Sequence, residues 1–226
     1  MNVNQLSEQL LLQIKMGEPW TDFESKLANL TLETLKKELP ADNHKKAFWI
    51  NIYNAFFLIL RKEKKLDKPE IYRKKAIQIG GNSFSLDDIE HGILRKYRWK
   101  FSIGYLPNIF TSSLIKDLAV SKIDYRIHFA LNCGAKSCPP IAFYAPEKIE
   151  NQLEMATLSF LESETDVLNN QKEIHITRLF LWFLGDFGGR KGVRKILKER
   201  LNIETKGMKL IFKAYDWEED LNNYRE

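Results

Sequence analysis

The chain is short of cysteine, of histidine and of long apolar runs, and each shortage removes a class of protein. Two cysteines in 226 residues cannot frame a disulfide-stapled scaffold. The pair Cys133 and Cys138, with four residues between, stands at the wide limit of a zinc half-site, and no second Cys/His pair completes it. No metal is therefore expected. The sequence contains neither G-x-x-x-x-G-K-[ST] nor G-x-G-x-x-G, so no nucleotide cofactor is expected either. The longest apolar run, Ala47 to Leu60, is interrupted by Asn51 and Asn54. As a helix it would reach about 21 Å against about 30 Å of hydrocarbon, so no membrane span is expected. Met1-Asn-Val-Asn-Gln5 lacks the basic and apolar regions of a signal peptide, and a cytoplasmic, reducing setting is expected. Basic clusters occur at Arg73–Lys75, Arg95–Lys100 and Arg190–Arg200. The 35 basic residues are offset by 30 acidic ones, however, which fits solvated faces better than a nucleic-acid surface.

Hydrophobic residues make up 44% of the chain, enough for a substantial core. Apolar spacing predicts amphipathic helices over 4–15 and 19–38 and a helix over 44–63 that is apolar nearly all round. Ser85-Leu-Asp-Asp88 reads as a capping box that opens a helix over 85–97. Further helices are expected at 109–120, 146–163, 179–183 and 191–201, and strands at 76–80, 126–131, 173–177 and 209–213. Helices thus alternate with a few short strands, and no repeat or composition break divides the chain. The expected fold is a helix-rich α+β single domain around a small, mainly antiparallel sheet. Its expected organisation is an N-terminal helical segment, 1–40, packed on a main domain, 41–226.

Chemistry concentrates in Arg126-Ile-His-Phe-Ala-Leu-Asn-Cys-Gly-Ala-Lys-Ser-Cys-Pro-Pro140. An apolar segment carrying His128 runs into a polar loop carrying Cys133 and Cys138. A strand end followed by such a loop can present a thiolate beside a histidine base, and loop amides around Asn132, Gly134 and Ser137 can face a carbonyl oxygen. From spacing alone, two small buried cysteines beside a satisfied core histidine are the favoured alternative, and a disulfide between them is also open. On a helical wheel with Leu86 at zero, Glu90 falls at about 40°, inside the apolar face, and His91 at about 140°, on its flank. A carboxylate facing a core must be paired, hydrogen-bonded or protonated. Asn51 and Asn54 lie one turn apart in an apolar helix and must either tie down a loop or line a pocket.

Ala47-Phe-Trp-Ile-Asn-Ile-Tyr-Asn54, Ser85-Leu-Asp-Asp-Ile-Glu-His-Gly-Ile-Leu-Arg95 and the 126–140 segment resemble signature blocks of the family called domain of unknown function 547. Leu179-Phe-Leu-Trp-Phe-Leu-Gly-Asp-Phe187 and Tyr215-Asp-Trp217 resemble its later blocks, in order, with Glu218-Glu-Asp220 departing from its usual tail. The resemblance is compatible with a papain-like or transglutaminase-like thiol enzyme. It implies a thiol-dependent hydrolase or acyl transferase acting on an amide or thioester. Cys133 or Cys138 would be the nucleophile, His128 or His91 the base and Glu90 its orienter. Plant relatives look as if they lack the full cysteine pattern. That keeps a second expectation: a non-catalytic module in which Glu90, His91, His128, Asn51 and Asn54 form a polar pocket for a small molecule or a peptide end.

Overall fold

The structure is a computed structural model and describes residues 1–225. It is a helix-rich α+β domain organised on one central helix. Helix α1 (Val3–Met16) is followed by α2 (Thr21–Ala28) and α3 (Leu32–Glu38). The expected helix 19–38 breaks at Thr31, whose hydroxyl accepts from the Thr34 amide and starts α3. Helix α4 (Asp42–Lys62) is buried on every side from Lys46 to Leu60, as an all-round apolar sequence requires. Asp42 does not cap α4. Its carboxylate instead holds the Ser121 and Lys122 amides. Helix α1 packs along α4, with Leu6, Leu10 and Leu11 in the same apolar cluster.

After the short α5 (Glu70–Arg73), β1 (Ile77–Ile79) and β2 (Asn82–Phe84) form an antiparallel hairpin. The Ser85–Asp88 capping box closes as expected, each residue binding the other's amide. The helix it opens is not α-helical: Asp88–Leu94 is a π-helix, with the Arg95 amide bonded to the Glu90 carbonyl at 2.9 Å. Only Ser113–Leu118 (α6) of the expected helix 109–120 is α-helical, and Ile109 and Phe110 stand exposed before it.

The expected strand 126–131 is a 3-10 turn, Tyr125–Phe129. Asp124 caps it by accepting from the Arg126 amide, and the same carboxylate grips the Arg126 guanidinium. Residues 127–131 are all buried, so the polarity contrast between two strand faces does not exist here. Helix α7 (Ile149–Glu164) leads to β3 (Asp166–Leu168) and β4 (Glu173–Ile176). Then follow α8 (Leu179–Trp182), α9 (Gly189–Leu201) and β5 (Lys209–Phe212). Strand β4 is central, antiparallel to β3 and parallel to β5.

Two apolar clusters result. One surrounds α4; the other joins α7, α8 and α9 to the three-stranded sheet. The 125–131 turn sits at their seam, with Ile127 and Leu131 in the first cluster and Phe129 in the second. No described helix is long and apolar enough to cross a membrane.

Candidate functional site

A cavity of about 240 Å³ opens at this seam, lined by Glu90, His91, His128, Cys133 and Cys138. Tyr53 and Tyr72 bound it on one side, and Trp182, Phe183, Tyr215 and Trp217 form an aromatic wall. The wall is built from mutual ring contacts: Trp182 and Tyr215 centroids lie 4.7 Å apart, Tyr215 and Trp217 4.6 Å.

The π-helix decides which side chains reach the cavity. Its wider turn departs from the 100° wheel, so Glu90 and His91 both line the cavity while Ile89, Ile93 and Leu94 stay in the core. Gly92 lets this helix approach α6 closely, since a Cβ there would lie 2.8 Å from Ile115 Cγ2.

The charges behind the cavity form one network. Arg95, itself 0% exposed, donates from Nε to Asp186 Oδ2 at 2.6 Å. His128 shares that oxygen, with Nε2 at 2.9 Å, and so carries its proton on Nε2. Its ring also stacks on Phe183, with centroids 3.9 Å apart. Arg95 Nη1 lies 2.6 Å from His91 Nδ1. A guanidinium can only donate, so His91 accepts on Nδ1 and holds its proton on Nε2. Burial, together with the charge of Arg95, lowers the His91 pKa to about 3 and keeps the ring neutral. The contacts of His91 with Asp87 and Glu90, at 3.6 and 3.7 Å, are therefore not ion pairs. Burial also lowers the His128 pKa, although the bond to Asp186 works against it. For Asp186, burial pushes the carboxyl up, but His128 and Arg95 outweigh it and hold the group below its ordinary range.

Glu90 behaves differently. Burial raises its pKa, and the more distant charges of Arg95 and His128 only partly oppose the shift. Its one hydrogen bond is from the Tyr53 hydroxyl, at 3.2 Å, and among the described residues no lysine or arginine pairs with it. This is a carboxyl that carries a proton more readily than an exposed one.

Cys133 and Cys138 are joined in a disulfide, so neither is the free thiol expected of a nucleophile. The loop brings their Cα atoms to 6.1 Å, within the range a disulfide spans. Gly134 makes the bend, at φ 70°, with its missing side chain facing Phe57 and Leu221.

The other loop and helix residues expected at a ligand serve the scaffold. Asn51 binds both the amide and the carbonyl of Tyr144, and Asn54 binds the Ala130 carbonyl and the Asn132 amide. Asn132 bridges Pro139 and Gly134, and Ser137 accepts from the Asp216 amide. Neither these four residues nor Gly134 lines the cavity. Sequence reasoning missed Asp186, Arg95 and the aromatic wall. The signal for Asp186 was the run Gly185-Asp-Phe-Gly-Gly189 after an aromatic segment, where small residues permit a close approach. A Cβ on Gly185 would lie 2.5 Å from the Gly104 backbone, and one on Gly104 2.6 Å from Asp186 Oδ1. Among the described residues, no three His, Cys, Asp or Glu side chains gather to hold a metal ion.

The fold and cavity define a helix-rich α+β domain with a buried acid–imidazole cluster facing an aromatic wall. Residues 37–161, more than half of the chain, match the family described as "Protein of unknown function, DUF547", and the chain belongs to that family. No curated protein and no solved structure matches it.

Proposed function

We propose that the cavity binds a small organic molecule or a peptide end through one polar group. Glu90 and the His91 Nε2–H would meet that group, and the aromatic wall would cover its apolar part. The observation that carries this reading is the Glu90 carboxyl: partly buried, at 13% side-chain exposure, without a cationic partner among the described residues, and lining open volume. Because burial raises its pKa, the Glu90 carboxyl can offer a donor as well as an acceptor when it takes up a proton, which suits an amide or a carboxyl group. The test is a fluorescence titration with N-acetyl amino-acid amides and short peptides, since Trp182 and Trp217 border the cavity. Saturable quenching that weakens on Glu90→Gln substitution is expected. Absence of any saturable change, or affinity indifferent to that substitution, defeats the proposal.

A second reading is favoured by one specific observation: both cysteines border the same cavity as His128, which Asp186 holds from behind. After reduction, a thiol there could act in a hydrolase or acyl transferase on an amide or thioester. Turnover of a model thioester by the reduced protein, abolished in both Cys133→Ser and Cys138→Ser or in one of them, is the expected result. Equal turnover in wild type and both variants rules it out.

A further inference from the structure

The disulfide is placed unlike a structural staple. It closes a loop of only a few residues, borders the cavity and lies within reach of two hydrogen-bond donors, the Cys133 amide and the Tyr215 hydroxyl. The two sulfurs are not equivalent. Cys138 is 3% exposed, whereas Cys133 is half-buried. Cys138 Sγ accepts a hydrogen bond from the Cys133 amide at 3.0 Å. The Tyr215 hydroxyl lies 3.0 Å from Cys138 Sγ and 3.3 Å from Cys133 Sγ. A disulfide sulfur carries no proton, so the hydroxyl is the donor. Burial raises the Tyr215 pKa, which keeps that proton in place.

We propose that Cys133–Cys138 is a thiol–disulfide exchange centre that takes small-molecule thiols, with Cys133 the attacked sulfur and Cys138 the leaving one. A thiolate entering the cavity forms a bond to Cys133 Sγ, and the Cys133–Cys138 bond breaks. The electron pair goes to Cys138 as a thiolate. Charge then develops where two donors, the Cys133 amide and the Tyr215 hydroxyl, already point. A second thiolate attacks the other sulfur of the mixed disulfide and frees Cys133. Two thiolates are thereby oxidised to one disulfide while the protein disulfide is reduced to two thiolates. Run backwards, the same steps reduce a small disulfide. The proposal does not depend on the amide or peptide ligand above, since exchange is read without one.

The test treats the folded full chain with 2-mercaptoethanol, quenches with iodoacetamide and maps both cysteines by mass spectrometry. The expected trapped species has the mercaptoethanol adduct on Cys133 and the alkyl group on Cys138. Tyr215→Phe keeps the ring and should slow exchange about tenfold, the factor that one hydrogen bond to a charged sulfur supplies. In the reduced protein the same substitution should raise the Cys138 alkylation pKa by about one unit. A merely structural tyrosine would move neither reading. Adducts divided evenly or favouring Cys138 overturn the proposal. So does a rate no faster than that of the urea-unfolded chain, or one untouched by Tyr215→Phe.

Discussion

Replacing Asp186 with alanine isolates the charge network behind the cavity. Its side chain is 0% exposed, and it meets Arg95 and His128 side chains that are each 1% exposed. Arginine keeps its charge in any protein setting, so D186A strands a buried guanidinium and removes the acceptor of His128. Breaking a buried pair in this way costs about 3–5 kcal/mol. At about 2–4 °C per kcal/mol for a chain of this size, the melting temperature should fall by about 6–20 °C. Thermal unfolding followed by circular dichroism measures this, with urea midpoints as a second reading and an unchanged m-value as the check on two-state behaviour. Asp117→Ala serves as the control. Its ion pair with Lys36 is solvent-exposed, and its loss should cost no more than about 1 kcal/mol. A double variant, Arg95→Met with Asp186→Asn, removes both charges and should be more stable than D186A alone. If D186A costs no more than D117A, the pair is not what holds the seam.

Two further outcomes follow from the same geometry. The folded-state pKa values of His91 and His128 are depressed, so their contribution is present above about pH 6.5 and is lost as pH falls through the folded values. For His91 stability should decline between about pH 6.5 and about pH 3, by up to about 1.4 kcal/mol per pH unit, and His128 acts in the same direction. Glu90 acts in the opposite sense, because its raised pKa gives a contribution that is lost as pH rises from about 4.3 through the folded value. His91→Gln should flatten the acid limb of a urea-midpoint-against-pH curve, and an unchanged limb contradicts the assignment. Asn51→Ala should destabilise by about 1–3 kcal/mol for each of the two Tyr144 backbone groups it orphans, and a change within experimental error would show the clamp to be dispensable.

Much of the scaffold was legible because its signals are local. The apolar surface of 44–63 announces burial by itself, and the Ser85–Asp88 box sets a helix start within four residues. Glu90 could be singled out because a carboxyl among Leu86, Ile89 and Ile93 contradicts its surroundings. The 126–131 segment misled because a fully buried stretch has no polar face with which to reveal its period. The π-helix was invisible because the apolar spacing of 85–97 is that of an ordinary amphipathic helix, and nothing in it marks the wider turn. Asp186 was passed over because an aspartate among glycines reads as a turn. Only the fold brings it to Arg95, ninety-one positions earlier.

The Arg95–Asp186 pair also bears on descent. The family match ends at residue 161, yet Arg95 and His128, which lie inside it, depend on an acid that lies outside it. Neither end of the pair can drift alone without leaving a buried charge, so the two positions should be inherited, or abandoned, together. A family alignment extended past residue 161 would reveal this as paired loss: chains without arginine at the first position should lack the acid at the second.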